Sequence, residues 1–142
     1  MTVARIINEK GRDVVTAAPN ASLAAIAATL ADRKIGAVVI VDEGAIRGII
    51  SERDIVRAVA RHGGDGLAKP AREWMTEKVV TCKAEDTINE VMQKMTSGRF
   101  RHLPVLEDGK LAGIVSIGDV VKRRIEDVER EADQIREYIA TA

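Results

Sequence analysis

The stretch Gly48-Ile-Ile-Ser-Glu-Arg-Asp-Ile-Val56 recurs 65 residues later as Gly113-Ile-Val-Ser-Ile-Gly-Asp-Val-Val121. It belongs to a longer internal repeat, in which residues 14–57 align without a gap on residues 79–122. Other identical pairs are Val14/Val79, Val15/Val80, Thr16/Thr81 and Gly44/Gly109, and many of the remaining pairs are apolar in both copies. A fixed internal period marks a supersecondary unit that is used more than once. Two copies predict a pseudo-symmetric pair, and the seam of such a pair is a common place for small molecules to bind.

The composition argues against several classes of function. Lysine plus arginine equals aspartate plus glutamate at 22 each, so no overall charge steers the chain toward nucleic acid or an anionic membrane. Aromatic residues make up only 2%, too few for the stacking surfaces of proteins that bind RNA or single-stranded DNA. No apolar run approaches the ~20 residues that span a bilayer, and residues 1–10 lack an apolar signal core.

The cysteine content predicts the compartment. Cys82 is the single cysteine, so an internal disulfide is impossible and a cytoplasmic location is expected. We interpret Cys82 as a small packing residue rather than a reactive thiol, because it aligns with Ala17 of the first repeat.

Each repeat is predicted to fold as strand, helix, strand, strand, helix. In the first repeat we expect a strand at 13–16, a helix capped by Ser22 that runs to about Arg33, and a hairpin of the apolar segments 37–41 and 46–50. A helix over about 52–61 completes it. The second repeat is expected to copy this pattern: strand 79–81, a helix from the capping box at Thr87 to about 97, hairpin strands 103–106 and 111–116, and a helix from near Gly118. Trp74 and Met75 are predicted to form an apolar strand or turn that packs on the second repeat.

The last helix is predicted to extend well beyond its counterpart in the first repeat. Apolar residues alternate at spacings of four and three, which forms a heptad seam: Val121, Ile125, Val128, Ala132, Ile135 and Ile139. Acidic and basic residues alternate on the other faces, among them Lys122, Arg123, Arg124, Glu126, Asp127, Glu129 and Arg130. Two interpretations stay open: the helix lies on its own domain, or it pairs with a second subunit.

A serine followed three residues later by an aspartate stands at the start of the second helix in both repeats. Such a pair is typical of a capping box, and one occurrence would need no other explanation. The duplication suggests more, because helix starts tolerate many capping solutions and both repeats keep the same one. A carboxylate beside a hydroxyl can accept hydrogen bonds from a ribose diol, and a helix N-terminus offers N–H donors to phosphate.

With these motifs the chain resembles a tandem pair of cystathionine-β-synthase (CBS) domains, or Bateman module. The resemblance covers about residues 13–124 and includes the Val-Val-Thr openings, the segment Arg101-His-Leu-Pro-Val105, the Asp/Glu-x-Gly turns and both Gly-x-x-Ser-x-x-Asp motifs. It implies an α/β fold of the α+β type, in which two pseudo-symmetric β-α-β-β-α repeats pack through their sheets and a C-terminal helix extends beyond them. The implied divisions are repeat one at 1–62, a linker at 63–73, repeat two at 74–126 and a helical extension at 127–142.

The resemblance also implies a regulatory module that binds an adenosine-containing ligand in the clefts between its halves. AMP is the first candidate, followed by ADP, ATP, NAD(H) and S-adenosylmethionine, and no metal is expected. The ribose would be held by Ser51, Asp54, Ser116 and Asp119. The adenine would be flanked by Thr16, Gly36, Ala37, Val38, Thr81, His102, Leu103 and Pro104. The phosphate candidates are Arg53, Arg101 and His102.

The two halves differ at these phosphate candidates. The second repeat has Arg101 and His102 where the first has Gly36 and Ala37, whereas Arg53 of the first aligns with Gly118. If the basic groups face one cleft, one site binds phosphates well and the other weakly. If they face separate clefts, both sites can be occupied.

An enzyme is not expected. Two histidines 40 residues apart and one cysteine do not provide the usual ligand spacing of a zinc site, and neither Ser–Asp pair has a matched histidine for a catalytic triad. The expected protein is a homodimer that senses an adenine nucleotide and signals to an unidentified regulated protein through a conformational or oligomeric change. The alternative is a dimeric scaffold that acts through its C-terminal helix without nucleotide. Neither a membrane nor a nucleic acid is an expected partner.

Overall fold

The computed structural model describes residues 1–141, which divide into two compact units. One unit is Val14–Val80, and the other combines Met1–Asp13 with residues 81–141. The helices are α1 (Val3–Lys10), α2 (Leu23–Arg33), α3 (Glu52–His62), α4 (Ala71–Trp74), α5 (Ile88–Gly98) and α6 (Ile117–Thr141), with a 3₁₀ helix at Gly63–Ala68. The strands are β1 (Thr16–Ala17), β2 (Ala37–Asp42), β3 (Ala45–Ser51), β4 (Cys82–Lys83), β5 (His102–Glu107) and β6 (Lys110–Ser116).

The unit Val14–Val80 is built on a three-stranded sheet in the order β1-β2-β3. β1 is parallel to β2, and β2 is antiparallel to β3. The hairpin turns through Glu43 and Gly44, both at positive φ, as a two-residue turn of the type I′ class requires. Residues of α2, β2, β3, α3 and α4 form one apolar core: Leu23, Ile26, Leu30, Val38, Ile40, Ile50, Ala58 and Ala71.

The second unit repeats this topology with the sheet order β4-β5-β6. Its extra element is α1, which buries Val3, Ile6 and Ile7. The first N–H groups of α1 have partners in the same unit, because Val3 N donates to Asp86 O at 2.9 Å and Ala4 N donates to Ala84 O at 2.8 Å. These bonds fix the N-terminal segment to the second repeat.

The segment that follows α3 belongs to the unit of the first repeat. Ala71 N donates to Ala21 O at 2.8 Å, and Thr76 exchanges backbone hydrogen bonds with Ile49 at 3.0 and 3.1 Å. Trp74 and Met75 pack against the core of that unit. The prediction that they pack on the second repeat is therefore wrong, since these backbone bonds on both sides of the pair hold them to the first.

The first glycine of each Gly-x-x-Ser-x-x-Asp motif makes room for a segment from outside the aligned repeat. A Cβ at Gly48 would lie 2.6 Å from Met75 Sδ and 2.9 Å from Thr76 O. A Cβ at Gly113 would lie 3.0 Å from Ile7 Cγ2 on α1. Both glycines thus have a packing role.

Most predicted elements are confirmed within one or two residues. The caps are confirmed as well, since Ser22 Oγ accepts from Ala25 N and Thr87 Oγ1 accepts from Glu90 N, each at 3.1 Å. The predicted strands 13–16 and 79–81 are misplaced, because β1 (Thr16–Ala17) shares only Thr16 with the first and β4 (Cys82–Lys83) shares no residue with the second. Helices α1 and α4 and the 3₁₀ helix are additional elements.

Cys82 is buried, as expected of a packing residue. Burial, with a smaller contribution from the negative charge of Asp86, raises the pKa of the thiol to about 11, and the nearby Lys94 opposes this only in part. The thiol therefore stays protonated and unreactive at neutral pH.

The C-terminal helix is continuous from Ile117 to Thr141. Its inward side buries Val120 and Arg123. Arg123 lies on a face other than the heptad seam, as predicted, but it is buried there: its guanidinium pairs with Glu9 of α1 and lies 3.2 Å from Glu126. The aligned residue of the first repeat is the small, fully buried Ala58.

Among residues 1–141, no helix has both the length and the apolar character needed to cross a membrane.

Candidate functional site

In the unit Val14–Val80, the candidate residues lie at one edge of the sheet, namely the edge at which β1 and β2 begin and β3 ends. Thr16 pairs with Val39 and Ala37 pairs with Ser51, so the end of β3 meets the beginning of β2 there. Gly36 O accepts from Glu52 N at 3.0 Å, which joins the start of α3 to the same edge. The structure thus brings the ribose and adenine candidates of the first repeat together: Thr16, Gly36, Ala37, Val38, Ser51 and Asp54.

The carboxylate of Asp54 is fully engaged at this edge. Oδ2 accepts from Ser51 N at 2.8 Å and from Ser51 Oγ at 3.2 Å, while Oδ1 pairs with Arg57 one turn further along α3. Only 5% of the Asp54 side chain is exposed. The capping-box interpretation therefore holds here. Arg57 was not among the candidates, although its position three residues after Asp54 on a helix was a signal for this pair.

The second unit repeats the arrangement. Cys82 pairs with Val105 and His102 pairs with Ser116, and Ile117 N donates to Arg101 O at 2.8 Å. The candidates that this edge brings together are Thr81, His102, Leu103, Pro104, Ser116 and Asp119. Ser116 and Asp119 form a reciprocal cap, in which Ser116 N donates to Asp119 Oδ2 at 2.9 Å and Asp119 N donates to Ser116 Oγ at 3.1 Å.

Asp119 has a cationic partner from the N-terminal end of the sequence. Lys10, the last residue of α1, donates to Asp119 Oδ2 at 2.6 Å and to Ile114 O at 3.0 Å. The Asp119 side chain is 25% exposed, more than that of Asp54. Lys10 was missed because it lies outside the repeat and no local pattern connects it to Asp119.

The contacts of Asp119 determine its ionisation. Partial burial acts to raise the pKa of this carboxyl group, but the hydrogen bonds from Lys10 and Ser116 and the charge of Lys10 outweigh it. The pKa therefore lies below its ordinary value of 3.8. Asp119 is an anion at neutral pH.

Replacing Lys10 with methionine is expected to raise the pKa of Asp119 and to lower stability at pH 7. Since the folded pKa lies below the unfolded value of about 3.9, ionised Asp119 stabilises the fold above that value, and this stabilisation is lost as the pH falls through the folded pKa. The loss of stability caused by Lys10→Met should therefore become smaller as the solution is acidified. NMR titration of the carboxyl carbon and urea unfolding at several pH values measure both effects.

Lys110→Met, at the exposed first residue of β6, is the matched control and should change neither quantity. An unaltered Asp119 pKa in Lys10→Met would contradict the role assigned to the ion pair.

The phosphate candidates lie near these edges. Arg53 is exposed next to Asp54 in the first turn of α3. Arg101 is exposed directly before β5, and the half-buried His102 is the first residue of that strand. One edge therefore has Arg53 and Arg57 as its nearby cations, and the other has Lys10 and Arg101, with the imidazole of His102 next to Arg101.

A separate apolar cavity of about 400 Å³ lies between α2 and α3, and none of the candidate residues line it. Its walls are Ala27, Leu30, Ala31, Ile35, Glu52, Ile55 and Val56. In the part of the chain that the structure describes, no three His, Cys, Asp or Glu side chains are grouped so that they could hold a metal ion.

Comparison with known families decides what the repeat is. The family model of the CBS domain matches residues 3–61 and again residues 71–126. The chain belongs to the CBS-domain family. The predicted tandem pair is confirmed, and so is the mixed α/β fold with its long C-terminal helix.

Individual CBS proteins extend this result. The crystal structure of the CBS-domain containing protein ATU1752 from Agrobacterium tumefaciens is 50% identical, with a TM-score of 0.85 over 87% of this chain and 99% of that chain. The mitochondrial CBS domain-containing protein CBSX3 of Arabidopsis thaliana is 35% identical over 116 residues, or 78% of this chain. The match spans 56% of the length of CBSX3.

Two CBS structures of lower identity contain adenosine compounds. The CBS domain pair of protein MJ0100, in complex with 5-methylthioadenosine and S-adenosyl-L-methionine, is 29% identical with a TM-score of 0.79 over 89% of this chain and 98% of that chain. The CBS domain protein PAE2072 from Pyrobaculum aerophilum, complexed with AMP, is 27% identical with a TM-score of 0.74 over 84% of this chain and 89% of that chain. CBS-domain pairs are regulatory modules, and some of them bind AMP or S-adenosylmethionine.

Proposed function

We propose that this CBS-domain pair is a non-catalytic, cytoplasmic sensor that binds an adenosine-containing ligand and signals as a homodimer through a change in conformation or assembly. The observation that carries the proposal is the repeated sheet edge. In each unit a serine–aspartate cap lies beside the backbone at the start of the second strand of the sheet. Each edge thus combines a carboxylate for a ribose with backbone groups for a base.

Of the two carboxylates, Asp119 is better placed than Asp54 to accept a hydrogen bond from a ribose. The hydrogen bonds from Ser116 N and Lys10 Nζ are both accepted by Oδ2, so Oδ1 can accept from a ribose hydroxyl. Asp54 uses both oxygens within its own unit and is more deeply buried. A ribose hydroxyl at Asp54 must therefore compete with Arg57, and we expect the Asp119 edge to bind more tightly.

The cations near each edge favour a ligand with phosphate. Arg101 and His102 can pair with a phosphate near the Asp119 edge, and Arg53 can do so near Asp54. Because each edge has only one or two of these groups, AMP is the first candidate, ahead of ADP, ATP, NAD(H) and S-adenosylmethionine. The ligands of MJ0100 and PAE2072 support the adenosine class as a whole.

A scaffold that acts through its C-terminal helix is the second candidate function. The observation that favours it is the exposed apolar side of α6, which includes Ile125, Ile135 and Ile139. The two functions are compatible, since a sensor without catalysis must report its state through a partner.

Isothermal titration with AMP, ADP, ATP, NAD, NADH and S-adenosylmethionine tests the sensor, with guanosine nucleotides as controls. AMP has about 23 heavy atoms, and roughly 0.3 kcal/mol per atom gives about 7 kcal/mol, a Kd on the order of 10 μM. We expect binding in this range by an adenosine compound, with one or two molecules per chain. Absence of heat with every ligand, on protein shown to be folded, would overturn the sensor and leave the scaffold.

A further inference from the structure

The C-terminal helix exposes the heptad seam that the sequence predicts. The exposed fractions are 41% for Val121, 54% for Ile125, 47% for Val128, 60% for Ile135 and 68% for Ile139. The helix packs on its own unit through a different side, where Val120 and Arg123 are buried. Packing within the chain therefore leaves the seam available for a partner.

The seam is narrow and flanked by charge. With Ile125, Ala132 and Ile139 at heptad position a, and Val121, Val128 and Ile135 at position d, the neighbouring e and g positions carry Lys122, Arg124, Glu129, Glu131, Arg136 and Tyr138. An apolar stripe confined to a and d is typical of two-stranded coiled coils, whereas larger bundles bury a wider face.

The flanking charges select a parallel arrangement of two copies. In a parallel, in-register pair, each g residue faces the e residue five positions later on the other helix. Arg124 then faces Glu129 of the second copy, and Glu131 faces Arg136 of the second copy. By symmetry each contact occurs twice, and all of them join opposite charges.

The antiparallel arrangement with the greatest overlap is repulsive. It places Glu129 against Glu129 and Glu131 against Glu131 of the other copy, and Lys122 against Arg136. A shift by one heptad restores opposite charges but removes apolar layers from a seam that is already short. The charge pattern thus discriminates against both alternatives.

We propose that residues 121–139 form a parallel, in-register, two-stranded coiled coil with a second copy of this chain. This deepens the homodimer of the proposed function, and it rests on that part of the proposal and not on ligand binding. Arg136 is free to change partners, because its contact with Asp133 at 3.3 Å joins two side chains that are 79% and 69% exposed, and such pairs contribute little.

Light scattering and sedimentation equilibrium of the full chain, over a range of concentrations, test the pairing. The unaltered protein should be a dimer, and Ile135→Asp should raise its dissociation constant at least tenfold, since it sets two carboxylates into the seam. Glu131→Lys should weaken the dimer by setting like charges at Arg136, and the double variant Glu131→Lys/Arg136→Glu should restore it. Glu137→Lys, the same charge change away from the seam, is the matched control.

Cross-linking tests the direction and register. Ile135→Cys and Val121→Cys should each form a disulfide-linked dimer under mild oxidation, because equivalent residues meet only in the parallel, in-register pair. An antiparallel pair cannot link both positions to themselves. Cys82 does not interfere, since it is buried.

Three results would overturn the proposal: a monomer at all concentrations, a trimer, or a dimer that Ile135→Asp leaves unchanged. Titration of AMP into Ile135→Asp distinguishes the coiled-coil proposal from the proposed sensor function. Retained binding with lost dimerisation supports the coil by itself. If the unaltered protein dimerises, Ile135→Asp dissociates it and neither binds a ligand, only the sensor is overturned.

Discussion

Replacing Asp119 with alanine should weaken binding of the adenosine ligand by about ten- to a hundredfold, with a smaller loss for Asp54→Ala. Hydrogen bonds to a charged group contribute roughly 1.5–3 kcal/mol, which corresponds to this range of affinity. The effect should be greater at Asp119, because its side chain is more exposed and both intramolecular hydrogen bonds are accepted by Oδ2. Isothermal titration of each variant measures the change.

Each substitution also removes a helix cap, so a control must separate folding from binding. Loss of a cap costs about 0.5–2 kcal/mol of stability. Thr87→Ala removes the cap of α5 in the same unit as Asp119, and Ser22→Ala removes that of α2 in the unit of Asp54. These controls should be destabilised but bind normally. Full affinity in both aspartate variants, with the fold intact, would eliminate the ribose assignment.

Gly48→Ala should destabilise the protein by about 1–3 kcal/mol, the usual cost of forcing atoms into a packed site. The new Cβ would lie 2.6 Å from Met75 Sδ and 2.9 Å from the backbone oxygen of Thr76. The thioether of Met75 can move, but the backbone of Thr76 is held by its hydrogen bonds to Ile49. The segment that contains Met75 and Thr76 must therefore move away from β3. Urea unfolding monitored by circular dichroism measures the loss.

Gly64→Ala is the matched control, because no atom lies within 4 Å of a Cβ at that position and its backbone is not in the left-handed region. It should leave stability unchanged or raise it slightly, since alanine reduces the freedom of the unfolded chain. If both variants unfold at the same urea concentration, the close approach of Met75 and Thr76 to β3 does not constrain the fold.

The sequence was sufficient to predict features that depend on local pattern. The apolar periodicity located α2, α3, α5 and both hairpins, and the caps at Ser22 and Thr87 follow from side chains that act within one turn. The serine–aspartate pairs were recognisable for the same reason. Two residues that are three positions apart at the start of a helix are neighbours in any fold.

Features that depend on distant contacts were not predictable in this way. The Lys10–Asp119 ion pair joins residues 109 positions apart, and nothing in either segment specifies the other. Trp74 and Met75 were apolar enough to indicate burial, but only the backbone bonds of Ala71 and Thr76 determine which repeat buries them. For α1 a local pattern does exist, since Val3, Ile6 and Ile7 have the spacing of one helix face.

The assignment of α1 to the unit of the second repeat has a consequence for synthesis on the ribosome. Val14–Val80 is complete as soon as it emerges, whereas the apolar side of α1 has no partner until the second repeat has been made. At ~5–20 residues per second, the roughly 110 residues from α1 to the start of α6 take about 5–20 s. For that interval the nascent chain carries Val3, Ile6 and Ile7 without their final contacts, so α1, which is translated before both repeats, is among the last elements to reach its native place.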